Sequence, residues 1–171
     1  MYRHTLALIA LLAASAAMAH DGHHHHASSQ PAAASTNPAS AAGPALDDVS
    51  IQDCWIRNMP AGLPSGGYFV VRNSGATAVR LTGVSSPAYG MTMLHQTRTQ
   101  GGMARMEHVD VVEVPGHGEL VFKPGSYHAM LEQPTSELAV GQSVPLTFQF
   151  QGGGHVQAQC ELRPASSTSA H

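Results

Sequence analysis

Charge is scarce in this chain. Asp, Glu, Lys and Arg make up 11% of its 171 residues, and Lys123 is its single lysine. Eight basic residues spread singly, under a formal net charge of −3, leave no clustered basic face for a nucleic acid. Aromatic residues stand at 5%, too few to build a stacking platform for a single strand. Two cysteines exclude both a disulfide-rich scaffold and a cysteine-rich zinc module. Long apolar runs are missing too: Leu6 to Ala14 is only nine residues, against the ~20 that a spanning helix needs. No catalytic dyad, phosphate-binding glycine loop or nucleophile elbow is present, so no enzyme is expected. What the chain does have is 12 His and 8 Met.

Position divides that surplus. Residues 1–19 read as a signal peptide: Arg3 and His4, the apolar run, then the small-x-small pattern Ala17-Met18-Ala19. Cleavage after Ala19 gives an exported, periplasmic protein beginning at His20, with no cysteine nearby to carry a lipid. One His and two Met leave with that leader. Five His follow at once, as His20, His23, His24, His25 and His26. Clustered imidazoles on a loose segment suit Cu(II), Zn²⁺ or Ni²⁺, and Cu(II) capture close to the folded domain is the expected use. Residues 27–45 then hold 8 Ala, 4 Ser and 3 Pro without a charge. Such a stretch has little to bury and three proline breaks, so 20–45 reads as a disordered tail and linker.

From 46 to 164 the pattern becomes that of short strands. Val144, Leu146, Phe148 and Phe150 alternate with Pro145, Thr147 and Gln149, a period of two. Similar runs lie near residues 49–57, 68–73, 79–85, 91–97, 104–109, 119–122, 127–131 and 155–162, with breakers such as Pro64-Ser-Gly-Gly67 and Gly101-Gly102 between them. No stretch sustains a helical period. Eight or nine strands over this length predict an antiparallel sandwich or barrel, followed by a flexible end at 165–171. His117, His155 and His171 read as turn or terminal surface residues.

Four residues inside this domain stand out by spacing. His128 and Met130 lie at i and i+2 and share a face, while Tyr127, Ala129 and Leu131 point to the core side. A hairpin centred on Gln100-Gly101 would set His95 opposite Met106, and the same register sets Met93 opposite His108. Thioether sulfur is soft and uncharged, a poor ligand for Zn²⁺, Mg²⁺ or Ca²⁺ and a good one for Cu(I) beside imidazole. Two thioethers and two imidazoles, with no anionic ligand, favour Cu(I) over Cu(II). Met93 and His108 are candidates for an auxiliary copper position beside the main one. Taken singly, each of these residues has an ordinary explanation, since methionine fills cores and strand histidines sit on surfaces. Their joint pattern is what points to a metal.

That pattern, His95-x10-Met106-x21-His128-x-Met130, resembles the signature of the periplasmic copper(I) chaperones of the PCuAC family. Cys54-Trp55-x-Arg57, Ser65-Gly-Gly-Tyr-Phe69 with Asn73, Leu94-His95 and Lys123-Pro-Gly-Ser-Tyr-His-Ala-Met130 agree, as does Leu138-x-x-Gly141-x-x-Val144-Pro-Leu-Thr-Phe148. The resemblance spans about residues 49–162. It implies a cupredoxin-like sandwich with one surface Cu(I), and delivery of copper to cytochrome c oxidase assembly through an oxidase copper domain or another chaperone. Copper buffering without a dedicated client is the alternative. The protein is expected to work as a monomer, with no nucleic acid and no membrane insertion once the leader is gone.

Cys54 and Cys160 fall in the first and last strands. A disulfide suits an oxidising compartment; two separate buried thiols are the other reading. A blue-copper carrier needs a thiolate at the metal with histidine near, and no histidine follows Cys160 until His171. A copper monooxygenase braced by His20 would need that residue held rigidly, yet the flexible linker follows it.

Overall fold

The computed structural model describes residues 46–169. The expected leader, His-rich tail and linker lie outside the described residues, as does His171. Ten strands and no helix make up the described part: β1 (Val49–Arg57), β2 (Ser65–Asn73), β3 (Val79–Ser85), β4 (Tyr89–Gln100), β5 (Met103–His108), β6 (Val112–Val114), β7 (Gly118–Phe122), β8 (Tyr127–Pro134), β9 (Ser143–Phe150) and β10 (His155–Arg163). The all-β sandwich expected from the alternating runs is present, with ten strands in place of eight or nine. The addition is β6, whose three residues are too few to show a period. Ser65 to Gly67, expected to break the chain, instead open β2, because they ladder onto β8 at Leu131, Met130 and Ala129.

Ladder pairing runs β5-β4-β8-β2-β1-β10-β9-β3-β6, with β7 added on β2. The path turns back on itself: β3 packs against β4, and β6 reaches β2 and β7. One apolar interior results. Phe69 on β2 stacks on Phe122 at 4.3 Å between ring centres and meets Phe148 on β9 edge-on at 4.7 Å. Leu81, Leu94, Leu131, Leu146 and Leu162 close around them, all buried.

Of the nine strand pairings, eight are antiparallel and one parallel, and seven are regular; one of the two register shifts is in β1. Gln52 pairs with Val70 and Trp55 with Tyr68, so Asp53 and Cys54 together face one residue of β2. Asp53 takes a left-handed φ of 49° to make this bulge. Val49 and Ile51 turn inward before it; Cys54 and Ile56 pack on the core after it. The strand's phase is thereby reversed. Cys54 comes beside Cys160 on β10, the parallel partner of β1, and the two form a disulfide across 106 residues of chain. Trp55 and Arg57 go to the opposite, outer face.

One further expectation is corrected. His155 is not a turn residue but begins β10, half-buried, with its Nδ1 enclosed and unpartnered among the described residues. After β10, Arg57 Nε–H donates to the Ser167 carbonyl at 2.9 Å, and Arg163 donates to that of Ser169 at 3.3 Å.

Candidate metal centre

The sheet β5-β4-β8-β2 sets the candidate ligands in rows. Leu94, Ala129 and Leu131 face inward and are buried, which by alternation turns His95, His128 and Met130 outward. His95 lies opposite His128 on β8 and opposite His108 on β5. The three imidazoles thus stand abreast, with ring centres 5.8 Å and 5.7 Å apart. One row further along, Met93 faces Met130, which in turn faces Gly66 on β2.

The β4–β5 hairpin departs from the expected register. His95 pairs with His108 and Met106 with Thr97, because the turn is Gly101-Gly102 rather than a bend centred on Gln100-Gly101. Both glycines have positive φ, 61° and 78°, the conformation that a two-residue type I′ turn needs. The slip relative to expectation is two residues, one full strand period, so Met106 still shares the face of His95, diagonally. Met93 is likewise diagonal to His108 rather than opposite it.

Met106 nevertheless reaches the site. Its Sδ lies 3.3 Å from Nε2 of His128. The other ring nitrogen of His128 is committed: Nδ1–H donates to the Ser126 carbonyl at 3.0 Å. That carbonyl also accepts the Thr97 amide at 3.0 Å and sits in a turn closed by Ser126 N–H to the Lys123 carbonyl. The turn therefore fixes the tautomer of neutral His128, leaving a lone pair on Nε2 directed at a thioether lone pair. In that tautomer Nε2 and Sδ face each other as two acceptors, and a cation would join them.

His95 carries the same sign. Its Nδ1 is buried and has no hydrogen-bond partner among the described residues. Burial holds its pKa below the usual value, His128 and His108 lower it further, and Glu132 opposes them. His108 is exposed, and its Nε2 is 3.0 Å from Asp110. Among the described residues no three of His, Cys, Asp and Glu converge as a metal site. The donors that lie beside His128 and His95 on this face are methionine sulfurs, which suit soft ions.

A shallow hollow of about 280 Å³ adjoins His128, Met106 and Met130, walled by Arg57, Met59 and Tyr68. Tyr68 lies 6.4 Å from His128 between ring centres, and Arg57 stacks over it at 5.3 Å. A Cβ at Gly66 would lie 2.5 Å from the Tyr68 hydroxyl, so only glycine lets the phenol lie across β2. Burial pushes the Tyr68 hydroxyl above its ordinary pKa, Arg57 opposing, so it offers no anionic oxygen at neutral pH. The Ser126 carbonyl, Tyr68, Arg57 and Met59 were not singled out as site residues from the sequence. A carbonyl has no side-chain signature, and Met59 stands alone in a loop far from the spaced motif. Both cysteines of the chain are in the disulfide, so no thiolate is left for a blue-copper centre.

Known proteins bear on this site. The family model named LpqE-like, for lipoproteins, matches residues 49–162. A Leifsonia xyli subsp. xyli protein with a lipoprotein name, Lxx21020, is 29% identical over 119 residues, 68% of this chain and 71% of its own. The Rickettsia prowazekii protein RP573 is 34% identical over 87 residues, half of this chain and 48% of its own. Among solved structures, the apo PCuAC domain of PmoF2 aligns with a TM-score of 0.60 at 22% identity, covering 72% of this chain and 96% of that one. The copper-bound form of that domain gives 0.59 at 22% identity, covering 70% and 96%. Cu(I)-bound DR1885 from Deinococcus radiodurans gives 0.58 at 23% identity, covering 72% and 83%. The fold is thus that of the PCuAC domains, cupredoxin-like, and the chain belongs to the LpqE-like family.

Proposed function

We propose that this protein is an exported copper chaperone that carries one Cu(I) between His95, Met106, His128 and Met130 and hands it to a copper-accepting partner. The observation that carries this reading is the 3.3 Å approach of His128 Nε2 and Met106 Sδ, with the His128 proton held away on Ser126. Copper is the cargo, and the neutral ligand set suits the monovalent ion. The relatives lend support: similar folds have been solved with copper in PmoF2 and with Cu(I) in DR1885. The lipoprotein names in the family favour export to the envelope. This chain's two cysteines are joined to each other, so neither carries a lipid, and a free periplasmic protein is the form we favour. Delivery to cytochrome c oxidase assembly is the client reading; non-catalytic buffering is its rival. His20, His23, His24, His25 and His26 would serve as a separate Cu(II)-capturing tail.

The test is anaerobic Cu(I) titration with X-ray absorption on the wild type and on His128→Ala/Met130→Ala. One ion bound by nitrogen and sulfur, with affinity at least ~100-fold weaker in the double variant, is expected, since even outer-sphere partners of metal ligands are worth 10–100-fold. Equal affinity in both proteins would remove the site. Transfer to an apo oxidase copper domain separates a chaperone from a buffer.

A further inference from the structure

We propose that Met91, Met93 and Met130 form a second, thioether-only Cu(I) position beside the mixed site, which the ion occupies on its way in or out. The proposal rests on the copper reading above and extends it along the same face. Six methionines follow the leader region, and four of them, Met91, Met93, Met106 and Met130, share the outer face of β5-β4-β8. On β4 the residues Met91, Met93 and His95 follow at intervals of two; opposite them on β8 stand Glu132, Met130 and His128. Soft donors therefore run past the mixed site in one direction. In the other direction the row after His95 holds Thr97, with Met106 of the mixed site opposite it, and no further methionine of β4 or β8 follows.

The geometry suits a three-sulfur site. Met93 and Met130 are direct cross-strand partners, whose Cβ atoms stand ~4.5–5.5 Å apart, and Met91 is diagonal to Met130, ~7–8 Å away and within reach of a long side chain. Core packing does not account for these residues. The inward residues of this stretch are Thr92, which bonds the Val84 carbonyl, and Leu94, which is buried, whereas Met91 is 40% exposed. Met91 is exposed and Met93 and Met130 are half-buried outside the core cluster, and together the three thioethers make a soft trigonal ligand set. Glu132, paired with Met91, adds a carboxylate that attracts a cation without being a preferred Cu(I) ligand. Met130 belongs to both positions. One ion therefore alternates between them, exchanging imidazole for thioether ligands while Met130 stays bound, and no electron is transferred.

The test uses the full chain and Cu(I) under anaerobic conditions. His95→Gln/His128→Gln removes the mixed site, and its fold is checked by its unfolding midpoint. This variant is expected to keep one more weakly bound Cu(I) with sulfur-only X-ray absorption, and adding Met91→Leu/Met93→Leu is expected to abolish it. Absence of that sulfur-bound ion, or its persistence without Met91 and Met93, overturns the second position. In a background that keeps the mixed site, Met91→Leu/Met93→Leu is expected to slow Cu(I) release to a chelator at least fivefold; an unchanged release rate overturns the transit role. The nitrogen–sulfur signal of the wild type tests the four-residue reading separately, so each fails on its own signal.

Discussion

The β1–β10 seam and the β4–β5 hairpin are built on opposite plans. At the seam a parallel strand pair is joined by a disulfide, and Trp55 is buried beneath Tyr68, Arg57 and Arg163. Every residue of β5, by contrast, is exposed, and the strand ladders only onto β4. Met106 lies on that edge, 58% exposed, while its partner His128 is buried on β8. Anchored structure and ligand-bearing structure are thus separated: one ligand is held by the core sheet, another is brought to it by a thinly supported hairpin. Regions with few buried contacts open at lower cost than the core. An ion held between the two can be released by moving the hairpin while the sandwich stays folded.

The largest way to break this contrast is at the seam. Reducing the Cys54–Cys160 bond is expected to lower unfolding stability by about 4–5 kcal/mol, from the entropy of the loop it closes. Urea titration measures this, and Cu(I) affinity below the unfolding range should be unaffected. A drop in affinity to match would show that the two regions are not independent. A smaller effect is expected from the other side. Alanine at Gly101 or Gly102 meets no atom within 4 Å, so its cost is the left-handed backbone alone, about 1–2 kcal/mol. Amide exchange should quicken in β5 and not in β1 or β10, and Cu(I) should bind less tightly.

The smallest effect is one of pH. The pKa of His95 is lowered in the folded protein, chiefly by burial, so below the ordinary value of about 6.5 the unfolded chain binds more protons there. The metal-free protein should therefore lose stability as pH falls from about 6.5 through the folded-state pKa. His95→Gln should flatten that decline in urea midpoints taken between pH 7 and 5. An equal decline in the variant would assign the acid sensitivity elsewhere.

The outward face of β8 was legible because alternation is enforced by burial: Ala129 and Leu131 are enclosed, so His128 and Met130 must face out. The hairpin register was not legible to the residue. Gln100-Gly101-Gly102-Met103 offers more than one two-residue turn, and only the glycine pair accepts positive φ twice over. The error was harmless for the face and decisive for the partner, moving His108 rather than Met106 opposite His95. The opening of β2 was hidden because Ser65-Gly-Gly67 has the composition of a turn. Its strand pairing comes from β8, distant in sequence, and its glycines make room for Tyr68 and Ala129.

The bulge in β1 has a consequence for how this chain tolerates length changes. Asp53 acts as a phase shifter: residues before it and residues after it satisfy two different alternations on one strand. Losing one residue there would force a choice between burying Val49 and Ile51 and presenting Cys54 to Cys160. A substitution at the same place leaves the count intact and keeps both. The strand is therefore open to changes of letter at Asp53 and closed to changes of number, whereas the hairpin, whose faces repeat every two residues, can lose or gain a pair and still present its ligands outward.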